Sequence, residues 1–126
     1  MTINEFILKY RRITDLGVHN PSSGGGQLIN THNPRVICKD GFEMSVQAGQ
    51  SLNSIPRDVA DYYEQAEVGF PSTEETLLTP YADDKTNLCD TIYGYVPCSV
   101  IDAVLEKHGG IDERKIQDMK AKRHSL

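Results

Sequence analysis

Residues 35–49, RVICKDGFEMSVQAG, constrain the fold more than any other stretch. Asp40-Gly41 separates two β-prone runs, and an Asp-Gly pair favours a tight hairpin turn because glycine accepts positive φ. Beyond the turn Phe42, Met44, Val46 and Ala48 alternate with Glu43, Ser45 and Gln47. A period of two puts one face in a core and the other in water. A hairpin pairs its strands antiparallel, so the chain must build an antiparallel sheet around this segment.

The neighbouring segments extend that reading. Phe6 to Thr14, FILKYRRIT, reads as a strand, with an N-terminal helix as the alternative. HNPSSGGGQ at 19–27 reads as a loop, most flexible over 21–27. It is either a linker or a phosphate cradle, and the helix start and Lys that a cradle uses are not evident after it. Asn53, Ser54 and Pro56 mark another loop, in which Pro56 fixes its own φ and sets Arg57 in a rigid turn. AEVGF at 66–70 reads as a short strand. STEETLLTPYA then reads as a helix capped by Ser72 or Thr73, with Glu74 and Glu75 in its first turn and Pro80 at its end.

DTIYGYVP at 90–97 is a further strand. Ser99 and Asp102 form a capping box for a helix whose buried stripe is Ile101, Val104 and Leu105, and Gly109-Gly110 stops it. A last helix runs from about Asp112 to Arg123, and its thin apolar edge of Ile116 and Met119 needs a neighbour, another subunit among the options. The expectation is one α+β domain over 1–126: a small antiparallel β-sheet core followed by two C-terminal helices at about 98–124.

Composition bears on function. With 13 Lys and Arg against 18 Asp and Glu, the net charge is −5, which disfavours a general DNA or RNA binder. It leaves room for a small anionic ligand held by local cations. Three cysteines, Cys38, Cys89 and Cys98, without CxxC spacing argue against disulfides and zinc. No apolar run spans a bilayer and no signal peptide is evident, so a cytoplasmic protein is expected. His19, His32, His108 and His124 lack ligand spacing, and Asp40, Asp83 and Asp84 read as solvated carboxylates, so neither metal nor cofactor is expected. A Cys98/His108 pair lacks an oxyanion signature, and the chain is not read as an enzyme.

The cations are more informative. Arg11, Arg12, Arg35, Lys39 and Arg57 lie on or beside the sheet, and Arg114, Lys115, Lys120, Lys122 and Arg123 lie on the last helix. Guanidinium groups fork onto phosphates, and tyrosine faces stack on bases. Arg57 is either a surface ion-pair partner of Asp58 or Asp61 or a ligand contact. Tyr93 and Tyr95 suit packing within the sheet, whereas Tyr81, just after Pro80, is placed to be a lid.

The succession MSVQA, a PR turn, EVGFPS, LLTPYADD, TIYGYVP and a helix ending in HGGI, over residues 35–111, resembles a family of small phage proteins, the first-described Thoeris anti-defence sponges. The resemblance implies a homo-oligomer, a dimer or hexamer, that binds a cyclic ADP-ribose isomer without cleaving it and so starves a bacterial effector. It implies nucleotide pockets between protomers, and a separate site for cyclic trinucleotides of the CBASS kind in some members. Carried onto this chain, it assigns Arg57 and Arg114 to phosphates and Tyr81 to base stacking, with Lys115 and Tyr63 beside them. A second nucleotide site would fall to Arg11, Arg12, Arg35 and Lys39. Residues 21–26 have no counterpart in it.

Asp58 to Asp90 hold nine carboxylates and one Lys. That run supports a rival reading, an acidic nucleic-acid mimic that blocks an anti-phage nuclease or effector. On the sponge reading it only keeps a small oligomer soluble.

Overall fold

A computed structural model describes the backbone of residues 1–20 and 26–124. It is α+β: two antiparallel sheets, of two and four strands, with three helices. Helix α1 spans Ile3–Tyr10, strand β1 Arg12–Asn20, β2 Gly26–His32, β3 Val36–Ile37, β4 Glu43–Gln47, β5 Gln65–Gly69 and β6 Ile92–Pro97. Helices α2, Cys98–Lys107, and α3, Glu113–His124, close the chain. Strands β1 and β2 form the separate ribbon, and the larger sheet runs β3-β4-β5-β6.

The hairpin at 35–49 forms as its pattern requires. Val36 pairs with Met44, Gly41 has φ +96°, and Met44 and Val46 are fully buried. They join Ile3, Phe6, Tyr63, Val68, Leu78, Tyr93, Val96, Ile101 and Ile116 in one core.

Three local expectations are corrected. The segment beginning at Phe6 is helical to Tyr10 and extended only from Arg12. Thr2 and Glu5 form a capping box, Thr2 N–H donating to Glu5 Oε1 at 2.9 Å, and Ile3, Phe6, Ile7 and Tyr10 share one helix face. Residues 72–82 form no capped helix: a single 3-10 turn at Thr79–Tyr81 contains Pro80 instead of ending before it. The Glu75 carboxylate turns inward and accepts from Leu77 N–H at 2.9 Å, which commits the segment to local turns. Finally, α2 starts at Cys98 with Pro97 as its N-cap, and Asp102 accepts the Ile3 N–H of α1 at 2.8 Å instead of capping α2.

The loop read at 19–27 is shorter than expected, since residues 19–20 belong to β1 and 26–27 to β2; its centre, 21–25, lies outside the described residues. Helix α3 finds its neighbour within the chain. Ile116 is fully buried, Met119 packs on the core, and Glu113 joins Lys9 and Tyr10 of α1. The thin apolar edge of α3 therefore gives no reason for a second subunit. No helix among the described residues is long and apolar enough to cross a membrane.

Candidate functional site

The loop carrying Arg57 is fastened on both sides. Ile55 N–H donates to Gln65 C=O at 3.0 Å and Glu64 N–H to Ile55 C=O at 2.9 Å, docking the loop on the start of β5. Ser54 Oγ donates to Pro56 C=O at 2.9 Å. Tyr63 is fully buried, so its ring cannot stack on a ligand; its hydroxyl donates to Asp58 C=O at 2.7 Å and accepts from Ala60 N–H at 3.0 Å. Arg11 reaches the same loop, donating through Nη1 to Ala60 C=O at 2.7 Å. Arg57 itself is exposed, and among the described residues no hydrogen bond or ion pair engages its guanidinium. Asp58 faces Gln50 instead, at 3.3 Å.

Tyr81 lines a cleft of about 340 Å³ with Asn53, Ala82, Asp83, Ile92, Gly94 and Tyr95. The cleft arises from an irregularity in β6. Ala66 pairs with Val96 but Val68 pairs with Tyr93, so β6 carries one residue more than β5 between these pairs. Such a bulge re-aims a side chain. Tyr95 takes φ +53°, its N–H donates to Asn53 C=O at 3.0 Å outside the ladder, and 42% of the residue is exposed. Left-handed backbone is strained for an aromatic residue, and strain of this kind clusters at ligand sites. The alternation of IYGYVP had suggested a ring packed in the sheet; nothing in the local sequence marks the extra residue.

Chemically, the cleft offers two phenol rings, a carboxylate and a side-chain amide. That set suits a base and the hydroxyls of a sugar: rings for stacking, Asp83 for amino or hydroxyl donors, Asn53 for either partner. Among the described residues no Lys or Arg lines it.

Arg114 and Lys115 stand elsewhere. Both are exposed on the first turn of α3, which is joined to β3 by the Cys38–Ile111 bridge and by Asp112 N–H donating to Ile37 C=O at 2.8 Å. The cleft adjoins β6, the opposite edge of a four-stranded sheet, so three strand spacings of roughly 4.8 Å separate the two within one chain. The cations proposed for a second site are also dispersed. Arg11 holds Ala60, Arg35 pairs with Glu43 at 3.1 Å and donates to Phe70 C=O, and Arg12 is exposed at the start of β1. Lys39 lies by α3, where Lys115 Nζ donates to its carbonyl at 3.3 Å.

The Cys98/His108 pair is excluded by distance, because the two residues bracket the ten-residue α2, about 15 Å at 1.5 Å per residue. Cys38 and Cys98 are buried, and burial pushes each thiol up to about 11. Among the described residues no cluster of His, Cys, Asp and Glu has the form of a metal site.

Sequence reading also missed a polar cluster around His108. Its Nδ1 lies 2.6 Å from Asp40 Oδ2 and its Nε2 2.7 Å from Glu75 Oε1, while Lys107 Nζ is 3.0 Å from Glu75 Oε2. The imidazole stacks on Phe42 with centroids 4.1 Å apart. Residues 33 and 68 positions apart meet here, and no local pattern announces such a pairing. Comparison with protein-family models, with curated proteins and with solved structures gives no match to this chain.

Proposed function

We propose that the protein binds a cyclic nucleotide signal, a cyclic ADP-ribose isomer, and holds it uncleaved, so that the bacterial effector it would activate stays silent. The observation that carries this reading is the cleft at the bulge of β6, where Tyr81 and the strained Tyr95 share one wall system with Asn53 and Asp83. The resemblance over 35–111 supplies the ligand class. The cleft takes the base and ribose; the phosphates need cations from outside it. Arg57, held on a fastened loop, is one source. Arg114 and Lys115, across the sheet, reach a cleft only in another copy of the chain.

The working form is therefore a homo-oligomer, a dimer or hexamer, acting in the cytoplasm of an infected cell. Ile13 and Leu16 on β1, 51% and 50% exposed, and Phe70 and Ile92 near the cleft supply apolar surface for assembly. The direct test heats protein purified from cells that make the signal and analyses the released material by mass spectrometry. An intact cyclic ADP-ribose isomer supports sequestration. A linear cleavage product makes the protein an enzyme. Co-purification of a bacterial nuclease without any nucleotide supports the acidic mimic instead.

A further inference from the structure

The His108 cluster lies outside the cleft and joins three segments that are remote in sequence. Asp40 belongs to the β3–β4 turn, Glu75 to the 72–79 segment, and His108 follows the last residue of α2. The same corner anchors the start of α3: Lys39 N–H donates to Gly110 C=O at 3.0 Å, and Asp40 N–H to His108 C=O at 3.3 Å. The charged groups facing the cluster are Asp40, Glu75, Lys107 on its own helix, and Lys115 of α3 beside the turn.

We propose that Asp40, His108 and Glu75 form a proton-operated clasp, in which the imidazolium donates from both ring nitrogens and so ties the β3–β4 turn to the interior and to the start of α3. A neutral imidazole donates from one nitrogen only and presents a lone pair at the other. One carboxylate must then let go. The Glu75 side chain is 1% exposed and the Asp40 side chain 49% exposed. Leu77 and Lys107 both serve Glu75 Oε2, so His108 is the partner of the buried Oε1, and a buried oxygen left without a donor costs more than one that hydrates. The single N–H therefore stays on Glu75, and the contact that opens is the one to Asp40.

The proton balance is favourable to the closed state. Burial pushes the His108 pKa down, but the hydrogen bonds to Glu75 and Asp40 outweigh burial and hold it above its ordinary value. A raised folded-state pKa means the contribution to stability is fully present below the unfolded value of about 6.5 and is lost as pH rises through the folded value. While both carboxylates are ionised, the clasp is closed below about 6.5 and opens as pH rises through the raised folded-state value.

The test follows the ring of His108 and the backbone amides of Lys39, Gly41 and Gly110 by NMR of the whole chain from pH 5 to 9.5, with His108→Gln identifying the ring signal. The expected result is a ring midpoint above 6.5 with the turn amides moving at that same midpoint. Asp40→Asn, at an exposed position, keeps the fold, lowers the ring midpoint and abolishes the amide step. A ring midpoint at or below 6.5, or turn amides that stay flat while the ring titrates, overturns the clasp. Neither readout involves a nucleotide, so the outcome is independent of the sequestration reading.

Discussion

Replacing Arg57 with Ala separates the ligand reading from a structural role. The guanidinium has no partner among the described residues, while the loop around it is held by Ser54, Ile55, Tyr63 and Arg11. Removing it breaks no bond described here, so folding stability should change by less than about 0.5 kcal/mol. Binding should change far more. A charge-assisted hydrogen bond to phosphate contributes about 1.5–3 kcal/mol, which is roughly ten- to a hundredfold in affinity. The loop is ordered before the ligand arrives, so little of that is lost to immobilising the backbone. Arg57→Lys keeps the charge but not the fork, and should recover part of the affinity. Calorimetric titration with a cyclic ADP-ribose isomer, beside thermal melts of all three proteins, reads both quantities. An Ala variant with wild-type affinity removes Arg57 from the site. An Ala variant that melts several degrees lower shows that the side chain has a structural role.

Further expectations concern the supports of the site. Tyr63→Phe deletes a hydroxyl that makes two buried-side hydrogen bonds to the Arg57 loop, and should cost about 2 kcal/mol in urea unfolding while weakening nucleotide capture; unchanged stability refutes the staple. Tyr95→Asn places a residue tolerant of left-handed backbone at φ +53°, so it should raise stability by about 1 kcal/mol and reduce nucleotide binding, and a lower melting temperature argues against strain there. At Gly49, with φ +149°, a Cβ would stand 2.1 Å from Thr31 Oγ1, which itself donates to Ala48 C=O; Gly49→Ala should cost about 2–3 kcal/mol, against about 1 kcal/mol for Gly110→Ala, where nothing lies within 4 Å. Of the three thiols only Cys89 is exposed, so a disulfide reagent at pH 8 should titrate one thiol in the native protein and three after denaturation.

What could be read from the chain follows the range of the forces involved. The hairpin at 35–49 was legible because alternation and an Asp-Gly turn are local and agree with each other. The two glycines after His108 marked the end of α2 for the same reason, both having φ +88°. The first helix was misread because Phe6, Ile7 and Tyr10 are β-prone, and the decisive Thr2–Glu5 cap precedes them. The 72–82 segment carries good capping residues, but a buried Glu75 bound to His108 and Lys107 outweighs helix propensity. Of the candidate cleft, Tyr81 was singled out from its place after Pro80, whereas Arg57, singled out from Pro56, is exposed on its loop and does not line it. Tyr95 was not, since a bulge depends on the register of two strands. Nor was the burial of Tyr63, which depends on α1 closing over it through Asn4, whose side chain pairs with both backbone groups of Tyr63.

The bond from Ile3 N–H to Asp102 spans 99 positions of sequence, and it bears on the order in which the molecule assembles. Helix α1 has eight residues, too few to persist alone in water. Its buried face of Ile3, Phe6 and Ile7 docks beside α2, and one of its free N-terminal amides is met by an α2 carboxylate. Helix α1 thus depends for its docking on a segment far downstream of it. Docking of α1 on α2 is therefore a long-range step, of the kind that high contact order makes slow.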